Sequence, residues 1–271
     1  MNPSTNMRIV PARQGMAWLV NGWRLFKRTP GTWLALVAVY WLLVTLLNEV
    51  RYAGPLAATV LLPAFSVSFM NISADAAAGN KLLIAALWSG FRNRFPALLM
   101  LGGLYVLALL ATLGLSALAD GGAVFRWFVF GEPPSKADFE SGGLGNGMLV
   151  AAAVGTPVLM AFWFAPVLAA WRGLGAAQSL FYSFFASLRN WRAFLLYGAA
   201  LSAAGAVLSA LVMIIAAAFA GNVAVLHGFM QGLSIVMLPT IFASFYFGYR
   251  DVFPEADAPA ATPLQASPPA P

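Results

Sequence analysis

Few residues in this chain can do chemistry. His227 is the only histidine and cysteine is absent, so neither a multi-histidine nor a thiolate metal site can be built. The acids fall in connecting segments or at span ends, and the nucleophile-elbow pattern G-x-S-x-G does not occur, so no Ser-His-Asp set stands out. Gly142-Gly-Leu-Gly-Asn-Gly147 is glycine-rich like a phosphate loop, but it lacks the lysine and follows no strand. A flexible outer loop is expected there, and a solvated turn at Glu49 and Arg51. The expectation is a protein with no catalytic residue, no metal and no cofactor, and no enzyme.

What remains is arginine and proline. Three basic-aromatic segments each run directly into an apolar stretch: Trp23-Arg-Leu-Phe-Lys-Arg-Thr-Pro30, Phe91-Arg-Asn-Arg-Phe-Pro96 and Leu188-Arg-Asn-Trp-Arg-Ala193. Arg24, Arg92 and Arg189 hold the same place in each. A guanidinium can grip a phosphate through two parallel hydrogen bonds. A basic residue at an anionic leaflet is worth about 1 kcal/mol of attraction, less in salt. These three are expected to contact phospholipid headgroups or another anionic ligand; the competing expectation is that they only set topology. Pro63, Pro166 and Pro239 each fall inside an apolar stretch, where a kink re-satisfied by neighbouring helices is expected and a broken helix lining a substrate path is the alternative.

The elements that position these residues follow from composition. The chain has 271 residues, 61% hydrophobic and 9% charged, with a formal net charge of +6 and a mean hydropathy of +0.80. Soluble domains carry about 25% charged residues, so a water-soluble globule is excluded, as are a disordered chain and a disulfide scaffold. Six segments are long enough to span about 30 Å of hydrocarbon as helices: near Trp33–Leu47, Tyr52–Ile72, Phe95–Leu118, Gly147–Trp171, Ala193–Ala220 and Gly228–Gly248. They lack the alternation of barrel strands. None contains Asp, Glu, Lys or Arg in its interior, which argues against carboxylate-driven transport. No cleavable signal peptide is expected. Placing the N-terminus inside puts twelve of the 15 basic residues in the cytoplasm and leaves Arg51, Arg126 and Lys136 outside. Both termini are then cytoplasmic, in a bacterial inner membrane.

Before each arginine lies a stretch with helical spacing of apolar residues: Met16, Leu19, Trp23 and Phe26; Ile84, Trp88, Phe91 and Phe95; Leu180, Phe184, Leu188 and Trp191. Each reads as an amphipathic helix lying along the cytoplasmic interface. With the prolines they define three repeated units of interfacial helix, span and proline-bearing span. The fold class expected is an all-α integral membrane protein with six transmembrane helices in three units, about 14–72, 79–171 and 177–250. Residues 1–13 form a cytoplasmic segment, 14–253 the membrane domain, 120–146 an outer loop, and 254–271, with six prolines, a disordered cytoplasmic tail. Phe125-Arg-Trp-Phe-Val-Phe130 suits the outer interface. The small residues Gly198, Ala199, Ser202, Ala203, Gly205, Ala206, Ser209 and Ala210 are expected to pack inside the bundle.

Pro11-Ala-Arg-Gln-Gly15 with Trp18, the Trp23–Pro30 segment and Phe245-Tyr-Phe-Gly-Tyr-Arg-Asp-Val-Phe253 resemble an uncharacterised family of proteobacterial multi-pass inner-membrane proteins, over nearly the whole chain except the tail. More distantly, the layout is similar to the membrane domain associated with bacterial glycerophosphodiester phosphodiesterases, whose catalytic residues have no counterpart here. The resemblance implies a location and a fold, not a reaction. The expected role is non-enzymatic organisation of lipids or partner proteins; the alternative is a transporter or flippase of a small or lipidic substrate. Expected partners are membrane phospholipids with anionic headgroups on the cytoplasmic side, and no nucleic acid.

Overall fold

The computed structural model describes residues 7–218 and 223–254, and every regular element among them is helical. Of the segments named above, residues 1–6 and most of the proline-rich tail lie outside the described residues, and so does the side chain of His227. The order is α1 (Gln14–Phe26), α2 (Pro30–Asn48), α3 (Ala53–Ala78), a 3-10 helix (Ile84–Phe91), α4 (Phe95–Asp120), α5 (Ala123–Phe130), α6 (Lys136–Glu140), α7 (Gly143–Trp163), α8 (Ala165–Arg172), α9 (Ala176–Arg189), α10 (Trp191–Ala218) and α11 (Val223–Val252). Five helices are long and apolar enough to cross a membrane: α2, α3, α4, α7 continued by α8, and α10. The sixth expected span falls in α11, partly outside the described side chains.

Helix α3 lies at the centre, against α11 on one side and α8 on the other. Helix α2 fills the angle between α3 and α11, α4 the angle between α3 and α7, and α10 lies against α11 and α1. Burial is concentrated at one end of the bundle, in Trp33–Val37, Pro63–Ala76, Leu98–Gly102, Phe164–Ala169 and Pro239–Phe253. Toward the other end, few side chains of α2, α4, α7 and α10 are buried, as expected where lipid is the solvent.

The three short helices before α2, α4 and α10 dock at the well-packed end, each on a proline-bearing helix. Helix α1 lies on α11, the 3-10 helix on α3, and α9 on α7 and α8. Their apolar residues divide between two sides: Phe26 is buried and Leu19, Phe91, Phe95 and Leu180 pack on the core. Met16, Trp23, Ile84, Trp88, Leu188 and Trp191 are exposed. Toward the bundle, α1 buries Trp18, Leu25 and Phe26 with Gly15 and Gly22, the 3-10 helix buries Leu87 with Gly90, and α9 buries only small residues, among them Ser179, Ser183, Ala186 and Ser187. A Cβ on Gly22 would strike the Thr240 carbonyl and lie 2.8 Å from the Ser244 nitrogen; one on Gly90 would strike the Ala64 carbonyl. Lipid tails are as apolar as leucine, so helices associate by close backbone approach, and large apolar side chains can turn outward at no cost.

Two further expectations are corrected. The Gly142–Gly147 stretch is not a loop: α7 begins at Gly143, after a left-handed Gly142. The small residues of α10 do not pack inside the bundle. Ala199, Ser202, Ala203, Ala206 and Ala210 are exposed, and a Cβ on Gly198 or Gly205 would meet nothing within 4 Å. Within 120–146 the chain forms the short helices α5 and α6.

Candidate functional site

Arg24 lies in the last turn of α1, Arg92 caps the C-terminal end of the 3-10 helix, and Arg189 is the last residue of α9. A cation at a helix C-terminus complements the partial negative charge there, which explains why three docking helices can each end on arginine. All three are exposed. Among the described residues none has an ion-pair partner; the ion pair found there is Arg126–Glu132, 3.9 Å apart. Each stands two residues after a buried small residue (Gly22, Gly90, Ser187) that anchors its helix to the bundle. Docking therefore fixes where the guanidinium emerges, and an exposed aromatic or aliphatic side chain precedes it on the same helix: Trp23, Trp88 and Leu188.

Neighbouring cations are spent differently. The Arg94 guanidinium donates to the carbonyls of Gly173 and Leu174, so it closes the end of α8 from the start of α4, with a left-handed backbone at φ 57°. Arg172 donates through Nε to the Tyr249 hydroxyl at 3.2 Å and stacks over the Phe253 ring. Arg192 stacks over Trp191 and Lys27 over Trp23. The sequence pattern does not separate Arg92 from Arg94; only the docking does. Nor are the two Arg-Asn pairs alike. Asn93 is exposed, whereas buried Asn190 accepts from the Val10 amide at 2.8 Å and donates to the Arg8 and Ala186 carbonyls.

The prolines are all buried. Helices α3 and α11 continue through Pro63 and Pro239, whereas Pro166 follows the break between α7 and α8. There the Ser183 hydroxyl accepts from the Phe164 amide at 2.8 Å and donates to the Met160 carbonyl at 2.9 Å. It occupies the place of the i to i−4 bond between those two residues, a known cause of helix breaks. Around this break Trp163, Phe164, Phe194, Tyr197, Phe245 and Tyr249 pack ring against ring. Glu49 and Arg51 do not meet as a pair; Arg51 lies over the Tyr52 ring, at 4.8 Å.

The two ends of the chain meet beside this aromatic cluster. Gln14 Nε2 and Trp18 Nε1 both donate to Asp251 Oδ2, at 2.6 and 2.7 Å, and the Arg8 amide donates to the Val252 carbonyl. The opening and closing motifs are thus one structural clasp, built on α1 and α11. A probable inner membrane protein of Burkholderia thailandensis is 36% identical over 256 residues, which cover 90% of this chain and 92% of that protein. The chain belongs to the same family. Its membrane-capable helices and this relationship agree on an inner-membrane protein. No family model and no solved structure matches the chain.

Proposed function

We propose that this family member is a six-span, non-enzymatic protein of three repeated units that holds anionic phospholipid headgroups at its cytoplasmic rim. The observation that carries the reading is the set Arg24, Arg92 and Arg189: exposed, without ion-pair partners among the described residues, and each fixed by a docking helix beside exposed apolar side chains. Guanidinium over phosphate, with aromatic and aliphatic groups at acyl depth, is the chemistry of a lipid contact. The units at about 14–72, 79–171 and 177–250 are supported by each docking helix lying on the proline-bearing helix of the preceding unit, α1 on α11 closing the circle. The match is closest at Pro63 and Pro239, where the docking glycine meets the carbonyl one residue after the proline. The aromatic filling around the α7–α8 break supports an organising role over a transport path. The distant likeness to the glycerophosphodiester-associated membrane domain would place the protein among lipid-handling neighbours.

Replacing all three arginines with lysine keeps charge and topology but removes the two-pronged grip. Native mass spectrometry of protein extracted with its own lipids should then show fewer retained anionic phospholipids per chain. An unchanged lipid count would leave these residues as topology determinants alone.

A further inference from the structure

The tip of α5 is the most exposed run of large apolar side chains outside the long helices. Its root is well held. The Asp120 carboxylate at the end of α4 accepts from the Gly122 and Val124 amides, at 2.7 and 2.8 Å, and its side chain presses on Gly147 of α7. Ala123 and Val124 are buried with Leu144, and Leu113 packs against them. Beyond this root, Trp127, Phe128, Val129 and Phe130 are 41%, 66%, 37% and 57% exposed.

Four consecutive helical residues point in directions about 100° apart and so cover every side of the helix. A flat protein partner could cover one side only. What encloses all of them is an apolar fluid. The position agrees: α4 runs 26 residues from Phe95, beside Arg92 and Arg94, to Asp120, a rise of about 39 Å. That is close to the thickness of a bilayer with its headgroups. Arg126 and Glu132 bracket the tip in sequence, and with Ser135 and Asp138 they line a cavity of 270 Å³.

The geometry points to α5 as a lipid-seated anchor: Trp127–Phe130 inserts into the acyl region of the leaflet opposite the arginine rim, with the Arg126–Asp138 cavity at headgroup level. Aromatic residues prefer this interfacial depth, and a short helix seated there lies in the leaflet without spanning it. The first unit has no counterpart, since its α2–α3 connection is only Glu49–Tyr52. It does not depend on the arginine rim binding lipid.

The absence of cysteine makes the test clean. Single cysteines are placed by Phe128→Cys and Phe130→Cys, with Leu107→Cys on exposed α4 as an acyl reference and Glu140→Cys as a water reference. Each is labelled with a nitroxide in vesicles of phosphatidylethanolamine and phosphatidylglycerol. Collision rates with oxygen and with a water-soluble nickel complex are then compared. At 128 and 130 the oxygen-to-nickel ratio should exceed that at 140 several-fold and stay below that at 107, which lies midway along α4. A ratio like that at 140, or shielding from both reagents as by a second protein surface, would overturn the anchor. In the unlabelled chain, lipids brominated on the acyl chain should quench an emission component that Trp127→Phe removes. Quenching identical in the two proteins would likewise overturn it.

Discussion

At the scale of single residues, the close approaches make the sharpest statements. A methyl group on Gly22 or Gly90 would have to displace backbone atoms of α11 or α3. Overpacking of this kind costs about 1–3 kcal/mol. At Gly31 a Cβ meets nothing within 4 Å, and alanine is the better helix former by about 0.5–1 kcal/mol. Thermal unfolding in detergent, followed by tryptophan emission, should therefore show a lower Tm for Gly22→Ala and Gly90→Ala and an equal or higher one for Gly31→Ala. Identical behaviour at the three sites would mean that docking does not rest on these glycines. The same contrast holds along α1 for tryptophan. Trp18 is buried against Phe194, Tyr197 and Asp251, and its truncation to alanine should cost about 3–5 kcal/mol. Trp23 on the outer face is exposed, and its truncation should leave Tm nearly unchanged.

At the scale of elements, the α7–α8 break depends on a partner from another helix. Ser183→Ala would leave the buried Phe164 amide without its acceptor, an expected loss of about 1–3 kcal/mol. Ser187→Ala should cost less, because its hydroxyl only adds a second donor, at 3.2 Å, to the Met160 carbonyl. Equal effects of the two substitutions would show that the hydroxyl does not replace the missing helical bond. Helix α6 carries a pH dependence. The Ser135 hydroxyl and then the Ser135 amide, both donating to Asp138, hold its carboxyl below the usual carboxylate range. A group whose folded pKa is depressed contributes above its ordinary pKa and loses that contribution as pH falls through the folded value. The Cα shifts of residues 136–140 should stay helical at pH 5 and move toward coil below the ordinary carboxylate range; in Asp138→Asn this pH dependence should vanish. Much of this layer was legible in the sequence, because apolar runs, glycines and prolines act locally. The buried faces were not. The rule that apolar residues point inward holds in water, whereas in lipid Trp23 and Trp88 can turn outward while glycine and serine face the protein.

At the scale of the whole molecule, location was legible because composition alone excludes a water-soluble fold. The joining of the chain ends was not. Nothing local in Gln14, Trp18 or Asp251 says that they meet across more than 230 residues, although the motifs quoted for the family resemblance contain all three. The expected orientation rests on a property of the whole chain, the distribution of its 15 basic residues. The docked helices bring Arg24, Arg92 and Arg189 to the ends that lead into α2, α4 and α10, while α4 carries the chain about one bilayer thickness away to α5. Lys and Arg near span ends favour the cytoplasm because basic loops translocate poorly. Reporter fusions at Ser89, Gln178 and Ala261 should therefore read as cytoplasmic, and fusions at Phe139 and Asn222 as external. Of these, Phe139 is the most telling site, since Arg126 and Lys136 in the same insert oppose the rule and the α5 anchor requires the far leaflet. A cytoplasmic reading there would overturn the six-span arrangement, and a cytoplasmic reading at Asn222 alone would remove only the last pair of spans.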